Sequence, residues 1–493
     1  MEPPPVERSR VLELGCASGG NLIPMAYGLP GSEFIGVDLS ARQVAEGQAM
    51  IAELGLSNIS LRQLDILDVG PSLGQFDYII AHGVYSWVPP EVRDKLLAIC
   101  RQQLAPNGVA YISYNIYPGW HMLRSIRDVM LYHTRRIADP AQQVVEARRF
   151  LEFLGRSIPT EYGAFAALFQ NWVNFVQENL LAREDAFLLH DELSTFNEPV
   201  YFHQFAEHAA AHGLRYLADA QFQSMLVTNL AADVAETLRQ VAQSTIELEQ
   251  YIDFLYNRAF RQSLLCRQEV SLTARVDPAR LTRFYASSPA RLESTEPEPQ
   301  AVLVEKFRAA DGAVLTTDHP VTRAAMRHLI AVWPQATPFD ELLALARQQV
   351  DGAGSGLDQD ALLLGANLLK AFGYSDNLVE LHVQPPRFVA EVTQRPLASP
   401  IARLQARQDR RVTNLRHERL NLDETTRQLL LHLDGRCDHL TLLELLKKLV
   451  ESGTIELEKN QKPVVDAAEI EQVLPDFLAA KLQQLARAAL LVG

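Results

Sequence analysis

A short apolar run that ends in a glycine-rich turn constrains the fold of this chain more than any other feature. Residues 11–14 (VLEL) have the composition of a buried parallel strand, and an apolar stretch of helical character begins near Leu22. Between them lie three glycines, Gly15, Gly19 and Gly20. Glycine has no Cβ, so such a turn can come close to a bound nucleotide or nucleoside. The order strand, glycine turn, helix therefore predicts an α/β domain that binds such a ligand.

Four further apolar runs of strand length follow, separated by stretches of helical periodicity. The runs are residues 34–37, 59–64, 76–81 and 108–113. This alternation predicts a doubly wound sheet whose ligand lies outside the carboxyl ends of the strands. Residues 214–217 and 260–266 are candidates for a sixth and a seventh strand. The predicted fold class is thus α/β, a Rossmann-like sheet of seven strands.

Carboxylates stand at the strand ends where a nucleoside would bind. Asp38 ends the second run, where an acid can accept hydrogen bonds from both ribose hydroxyls, in NAD and S-adenosylmethionine sites alike. Asp65 ends the third run, where it can accept from an adenine amino group, and Glu13 can anchor the turn or the methionine amino group. The last two acids favour S-adenosylmethionine over a dinucleotide. Each acid could instead be an ordinary capping residue.

The predicted cofactor site combines the glycine turn with the residues that follow the strands. Its members are Glu13, Gly15, Cys16, Ala17, Gly19, Asn21, Asp38, Leu39, Asp65, Ile66 and His82. The expected cofactor is S-adenosylmethionine, with S-adenosylhomocysteine as its product. Ala17 occupies the middle glycine position of the usual E-x-G-x-G-x-G pattern. Alanine is the smallest alternative, so we expect the turn to keep its shape.

Aromatic and polar side chains follow the fourth and fifth strands and are candidates for the acceptor pocket. Ring faces attract cationic groups, and both the sulfonium and an ammonium-derived nucleophile carry positive charge before or during transfer. The predicted catalytic or positioning residues are Tyr85, Tyr114, Asn115, Tyr117, Trp120 and His121, with Trp87 as a further wall. Histidine has the reference pKa best suited to a base. The alternative is that the rings pack the core and that His121 is a surface residue at a helix start.

Composition excludes several classes of protein. A chain of 493 residues, 47% hydrophobic and 22% charged, is expected to fold into two to four domains. It has neither a run of about 20 apolar residues nor a signal peptide, and its four cysteines are scattered, so we expect a cytoplasmic protein without membrane contact. A net charge of −14 argues against general nucleic-acid binding.

A metal site is not expected from the sequence. On paper, four residues could be combined into one: His190, Asp191, Glu192 and His203. They contain no helical i, i+4 pair of ligands, and the cysteines form no C-x-x-C pair, so we predict no metal.

Three segments together resemble a known family. ELGCASGGN (13–21), YNIYPGWH (114–121) and HDELSTFNEPVYFHQF (190–205) are similar to bacterial class I methyltransferases that carry a methyltransferase regulatory domain. That family is similar to the rickettsial protein-lysine methyltransferases that act on outer-membrane proteins. The resemblance implies an S-adenosylmethionine site on Gly15, Gly19, Asp38 and Asp65, and a lysine of a protein or peptide as acceptor. Methylation of a small molecule or a carrier-bound peptide, and a catalytically silent scaffold, remain open.

Motifs and composition along the chain also predict its domain organisation. We expect a methyltransferase domain over 1–275 with a helical insertion at 139–201, a linker over 276–318, and two winged-helix-like domains over 319–386 and 387–493. Residues 286–300 are rich in Pro, Ser and Glu, which is typical of a linker or an exposed loop. An arginine-rich bridge, 403–419, joins these two, and acidic residues around their helices favour protein contact over DNA. Only ten residues precede the first strand, so either the cofactor's cover comes from elsewhere in the chain or the natural protein is longer there.

Overall fold

The computed structural model divides the chain into two compact units. The first comprises residues 1–17, 34–45 and 60–272, and the second comprises 18–33, 46–59 and 273–493. The residues described are 1–159, 161, 163–179, 185, 188–194, 196–273, 276–293, 304–350, 356–385, 387–455, 457–459, 462–463 and 466–493.

A seven-stranded sheet carries the residues predicted to bind the cofactor. Its strands are β1 (Arg10–Leu14), β2 (Glu33–Asp38), β3 (Ile59–Gln63), β4 (Phe76–Ala81), β5 (Leu104–Asn115), β6 (Leu214–Asp219) and β7 (Phe260–Arg267). They lie in the order β3-β2-β1-β4-β5-β7-β6, with β4 parallel to β1 and β5 and with β7 antiparallel to β5 and β6. The strand order reverses between β1 and β4, which opens a crevice at their carboxyl ends. The predicted seven-stranded Rossmann-like fold is confirmed.

Helices connect the strands and form the predicted insertion. They are α1 (Leu22–Gly28), α2 (Ala41–Leu54), α3 (Pro90–Gln103), α4 (Gly119–Thr134), α5 (Pro140–Ser157), α6 (Ala164–Asn179), α7 (Phe202–Ala211), α8 (Ala232–Val241) and α9 (Thr245–Tyr256). Asp139 begins α5 by accepting a hydrogen bond of 3.0 Å from the Gln142 N–H, and Pro140 follows it at the first helical position. Helices α4, α5 and α6 share a small apolar core that includes Met130, Val144 and Val173.

Apolar side chains buried on its two faces stabilise the sheet. Leu12 and Leu14 of β1, Ile79 of β4 and Ile112 of β5 have no solvent exposure, and Leu96 of α3 is equally buried. Such burial contributes roughly 1.5–3 kcal/mol for each large aliphatic side chain. The apolar runs along the sequence therefore become the core, and polar residues are left at the strand ends.

The second unit contains two regions, each with its own apolar core. The first has strands β8 (Tyr285–Ser287), β9 (Arg291–Leu292), β10 (Glu305–Arg308), β11 (Val314–Thr317), β12 (Thr337–Pro338) and β13 (Glu380–His382), with helices α10 (Pro320–Val332), α11 (Phe339–Gln348) and α12 (Leu357–Tyr374). The second has helices α13 (Pro400–Gln408), α14 (Glu424–His432), α15 (His439–Glu451) and α16 (Ala467–Arg487), with hairpins β14 (Arg411–Thr413)–β15 (Arg419–Asn421) and β16 (Glu458–Lys459)–β17 (Lys462–Pro463).

The expected linker over 276–318 is wrong for the residues that the structure describes. Strands β8 to β11 lie in this stretch, and Phe307 of β10 is completely buried in the same core as α10. The strands are two to four residues long, too short for alternation to be visible in the sequence. Residues 294–303, the most Pro- and Glu-rich part of the predicted linker, lie outside the described residues.

The arginine-rich bridge pairs with acidic neighbours. Arg410 lies 3.2 Å from Glu424, Arg411 lies 2.6 Å from Asp409, and Arg416 lies 2.6 Å from Glu380. Among the described residues, no helix is both long and apolar enough to cross a membrane.

Candidate active site

The carboxylate of Asp38 ties the glycine turn to the end of β2. Its Oδ2 accepts a hydrogen bond of 2.8 Å from the Ala17 N–H, and its Oδ1 accepts one of 2.8 Å from the Ser40 N–H. The N–H groups of Gly15 and Cys16 both donate to the Val37 carbonyl, at 2.9 and 3.0 Å. A carboxylate offers about four lone-pair sites, so two acceptor positions on Asp38 are left for ribose hydroxyls.

The turn contains a non-glycine residue in a conformation that favours glycine. Ala17 has a φ of 50°, close to the 75° of Gly15 and the 77° of Gly19. A left-handed conformation costs an L-residue with a Cβ roughly 1–2 kcal/mol. Alanine therefore keeps the turn at a small cost in stability. At Gly15 no substitution is tolerable without movement, because a Cβ there would lie 2.6 Å from Cγ2 of Val84.

Two further predicted cofactor residues lie just after β2 and β3 in the chain. Leu39, next to Asp38, is 68% exposed, which leaves an apolar side chain available to cover a ring. Asp65 accepts a hydrogen bond of 2.9 Å from the Leu67 N–H and so caps the turn that begins at Ile66. Asp65 is therefore a capping residue, and its second carboxylate oxygen is still able to accept a hydrogen bond from another donor.

The remaining cofactor candidates of the first unit are buried or ring-packed. Glu13 is 4% and Cys16 is 5% exposed. Burial, together with the nearby charges of Glu13 and Asp38, raises the pKa of the Cys16 thiol to about 12. His82 contacts the Tyr111 hydroxyl through Nδ1 at 2.9 Å, and partial desolvation lowers its pKa.

Gly19 and Asn21 belong to the second unit. The carbonyl of Gly19 accepts from the Ile23 N–H at 2.8 Å, and the exposed Asn21 directly precedes α1. Their local geometry agrees with a turn that leads into a helix.

Tyr85 and Tyr114 lie in the core of the sheet. They are 2% and 1% exposed, and both rings pack on Phe205 of α7, with the Tyr114 ring stacked at 3.9 Å. The Tyr114 hydroxyl hydrogen-bonds to Oγ of Ser263 at 2.8 Å, and burial raises its pKa well above the ordinary value. A buried neutral phenol with a partner is poorly suited to accept a proton. These contacts favour the packing interpretation for both tyrosines.

Asn115 and Trp120 are also buried. The Asn115 N–H donates to Oγ of Ser86 at 2.8 Å, and its side-chain amide donates to Oδ1 of Asn197 at 3.2 Å. Trp120 is 6% exposed and packs edge-to-face on Trp87 at 6.2 Å. Asn115 therefore holds the segment around Asn197 against the end of β5.

An accessible group of rings forms where β5 leads into α4, and we call Tyr117, His121, Tyr201 and Phe254 the aromatic cluster. Tyr117 stacks on His121 at a centroid distance of 4.1 Å and lies 5.4 Å from Tyr201. Nε2 of His121 contacts the Tyr201 hydroxyl at 3.2 Å, and Phe254 packs edge-on against Tyr201 at 5.9 Å. Two of the six predicted catalytic residues thus share one accessible cluster.

The sequence prediction missed Tyr201 and Phe254. Tyr201 lies inside the HDELSTFNEPVYFHQF segment, which resembles the family but does not by itself assign a role to this tyrosine. Phe254 is one apolar residue of α9, and no feature of the sequence distinguishes it from core residues. Its 46% exposure is visible only in the structure.

Comparison with known proteins identifies the family. Residues 11–108 match "Methyltransferase domain", residues 184–267 match "Predicted methyltransferase regulatory domain" and residues 394–490 match "PKMT, C-terminal winged helix domain". An uncharacterized protein of Rickettsia prowazekii is 32% identical over 505 residues, which cover 100% of this chain and 88% of that protein. The chain belongs to this family of S-adenosylmethionine-dependent methyltransferases with a regulatory domain. The predicted enzyme class and cofactor are confirmed.

Solved structures extend the similarity over the whole methyltransferase. PKMT2 from Rickettsia typhi is 27% identical, has a TM-score of 0.87, and is matched over 100% of this chain and 96% of that chain. The structure of PKMT2 in complex with AdoHcy is similar to the same extent. A second uncharacterized Rickettsia prowazekii protein is 38% identical over 212 residues, 42% of this chain and 82% of that protein.

Proposed function

We propose that this methyltransferase transfers a methyl group to the side-chain amine of lysine in a protein, and that the aromatic cluster receives the amine. The observation that carries the proposal is the accessible stack of Tyr117 on His121 beside Tyr201, at the carboxyl end of β5. Ring faces attract ammonium groups and the sulfonium alike. The similarity to PKMT2 over the full chain supports a protein acceptor.

The cofactor site is proposed on the turn and the strand ends. The free acceptor positions of Asp38 suit the ribose hydroxyls, and the exposed Leu39 suits one face of the adenine ring. Asp65 has an oxygen that can accept from the adenine amino group. Gly15 keeps its part of the turn free of a side chain where the backbone approaches the ligand.

Methyl transfer requires an unprotonated amine in line with the S–CH₃ bond. The nitrogen lone pair forms the new C–N bond while the S–C bond breaks and the sulfonium becomes a neutral thioether. A lysine amine with a reference pKa of about 10.4 must first lose a proton, and an apolar surrounding favours its neutral form. Tyr117 and Tyr201 supply apolar ring surface, and His121 is placed to accept the proton. Positioning of the amine is the main contribution of the protein.

Acceptor class is tested by a radiolabelled methyl-transfer assay on cell lysate, read separately in the protein and small-molecule fractions. Label in protein, recovered as methyl-lysine after hydrolysis, is the expected result. Label only in small molecules favours the alternative acceptor class. No label at all, with S-adenosylhomocysteine binding intact, favours the scaffold alternative.

The role of the aromatic cluster is tested on the same enzyme. Tyr117→Ala is compared with Tyr132→Ala, which removes a 68% exposed tyrosine from the far end of α4, the helix that follows Tyr117. We expect transfer to fall in the first variant only. Equal activity of both variants would remove the cluster from the proposal, while the cofactor site would still stand.

A further inference from the structure

We propose that Asp94, His208 and His212 form a binding site for Zn²⁺ or a similar divalent transition metal ion. Oδ1 of Asp94 lies 2.7 Å from Nε2 of His208 and 3.3 Å from Nε2 of His212. One potential ligand atom from each residue lies within 4.8 Å of the others. Imidazole nitrogen and carboxylate oxygen are ligands that Zn²⁺ commonly takes in proteins. We call these three residues the His–Asp cluster.

The cluster is built on two helices. His208 lies in the last turn of α7 and His212 follows that helix directly, so their i, i+4 spacing places both rings on one face. Asp94 comes from the beginning of α3, 114 residues before His208. The sequence prediction of no metal considered only His190, Asp191, Glu192 and His203. It overlooked the i, i+4 pair His208 and His212, which is visible in the sequence, whereas the contact with the remote Asp94 is visible only in the structure.

The two separations that involve Asp94 are close to those of tetrahedral coordination. Bonds of about 2.0–2.1 Å to a tetrahedral ion separate neighbouring ligand atoms by about 3.3 Å. The His212–Asp94 pair already has a separation of 3.3 Å, and the His208–Asp94 pair, at 2.7 Å, would have to open by about 0.6 Å. The Asp94 side chain is 59% exposed, so it has room to move and water can reach a fourth position.

A buried tyrosine supports one of the histidines from behind. The Tyr85 hydroxyl contacts Nδ1 of His208 at 2.7 Å, and Tyr85 is 2% exposed. Histidines that bind metal usually donate their second ring N–H to an oxygen acceptor, most often a carboxylate, a backbone carbonyl or water, which fixes the orientation of the ring. The Tyr85 hydroxyl oxygen can serve as that acceptor for His208. With an ion on Nε2, the proton resides on Nδ1 and is donated to the tyrosine oxygen. Without the ion, Nε2–H donates to Asp94 and Nδ1 accepts from Tyr85.

The arginine next to Asp94 in the sequence does not oppose an ion in the cluster. Arg93 precedes Asp94, but its guanidinium lies 3.2 Å from a carboxylate oxygen of Glu198 and 5.3 Å from the Tyr85 ring centroid. Its charge is therefore balanced by Glu198.

Metal titration of the full-length chain without a histidine tag tests the proposal. Co²⁺ serves as the probe, because its visible absorption intensifies in tetrahedral coordination, and Zn²⁺ is then added in competition. Asp94→Asn removes one ligand at an exposed position, and His212→Gln removes one at a half-buried position. His203→Gln is the matched control, because His203 lies on α7, as His208 does, but contacts Gln250.

We expect one equivalent of Co²⁺, displaced by one equivalent of Zn²⁺, in the wild type and in His203→Gln. Asp94→Asn and His212→Gln should weaken the affinity at least about tenfold, with circular dichroism unchanged. The proposal fails if the wild type does not bind the ions. It also fails if the two ligand variants bind as tightly as the control, or if all three variants lose binding equally.

Discussion

The Asp38 carboxylate accepts a hydrogen bond of 2.8 Å from the backbone N–H of Ala17. This contact joins the acid that ends β2 to the turn that follows β1. The residue proposed to hold the ribose therefore also shapes the turn beside it, and the two roles have to be separated experimentally.

Asp38→Ala and Asp38→Asn are expected to weaken S-adenosylhomocysteine binding. Alanine removes the charge-assisted hydrogen bonds to the ribose, at roughly 1.5–3 kcal/mol each before any compensation. Asparagine keeps one side-chain oxygen, which can hold the turn, so its loss in affinity should be smaller. Calorimetry measures both, with Asp68→Asn at an exposed neighbouring acid as the control. Unchanged affinity in Asp38→Ala would remove this residue from the site.

Ala17→Gly should keep or increase stability. The φ of 50° costs alanine roughly 1 kcal/mol that glycine does not pay, and the greater freedom of glycine in the unfolded chain offsets part of that gain. The net effect should lie between zero and about 1 kcal/mol, whereas Ala17→Val should be clearly destabilising because branched residues avoid this conformation. Thermal melts of the three proteins check the order. A melting temperature that falls in Ala17→Gly contradicts the argument.

Tyr117→Ala and Trp120→Ala should behave differently, although both residues belong to the aromatic segment 114–121 that follows the fifth strand. Tyr117 is partly exposed in the aromatic cluster, so its loss should lower methyl transfer and leave S-adenosylhomocysteine affinity within a few-fold. Trp120 is 6% exposed, and its truncation should cost roughly 3–5 kcal/mol of stability. Activity, cofactor binding and melting temperature are measured together. Parallel loss of all three in Tyr117→Ala would make that ring a packing residue as well.

Features that depend on neighbours in the chain were predictable, and those that depend on distant partners were not. A strand end can be predicted from about six neighbouring residues, as where an apolar run is followed by Asp38 or Asp65. The aromatic cluster needs Tyr201, which lies 80 residues from His121. The burial of Tyr114 follows from β5 continuing to Asn115, two residues beyond the predicted end, where Tyr114 pairs with Arg261 of β7. The sequence shows neither the extension nor the antiparallel neighbour.

Native cysteine reactivity should be confined to Cys437. Burial raises the pKa values of Cys16 and Cys100 to about 12, so both are protonated thiols at neutral pH, and the thiolate that reacts forms only at strongly alkaline pH. Cys266 is also buried, and burial raises its pKa as well. A disulfide reagent at pH 8 should therefore modify one thiol in the native protein and four after unfolding. Rapid labelling of Cys16 in the native state would contradict the buried position.

Glu380 and Arg416 form an ion pair within the second unit, and we expect its contribution to stability to be lost in acid. Glu380 of β13 is 2.6 Å from Arg416, and it also accepts from Ser287 Oγ at 3.0 Å. Burial works to raise its pKa, but hydrogen bonds from His382 and Arg416 and the charge of Arg416 outweigh it and lower the pKa of Glu380 to about 2.

The sign of the pH effect follows from that depressed pKa. The unfolded chain has a glutamate pKa of about 4.3, so the ionised form stabilises the fold above this pH, by about 3 kcal/mol for a difference of about two pKa units. The contribution is lost as the pH falls from about 5 to about 2. Glu380→Gln should therefore unfold at lower urea at pH 7 and show a shallower decline over this window. Glu418→Gln is the matched control, because Glu418 also faces Arg416, at 3.3 Å, but is 51% exposed and should contribute less than about 1 kcal/mol. Parallel pH profiles of wild type and Glu380→Gln would show that the pair does not stabilise this unit.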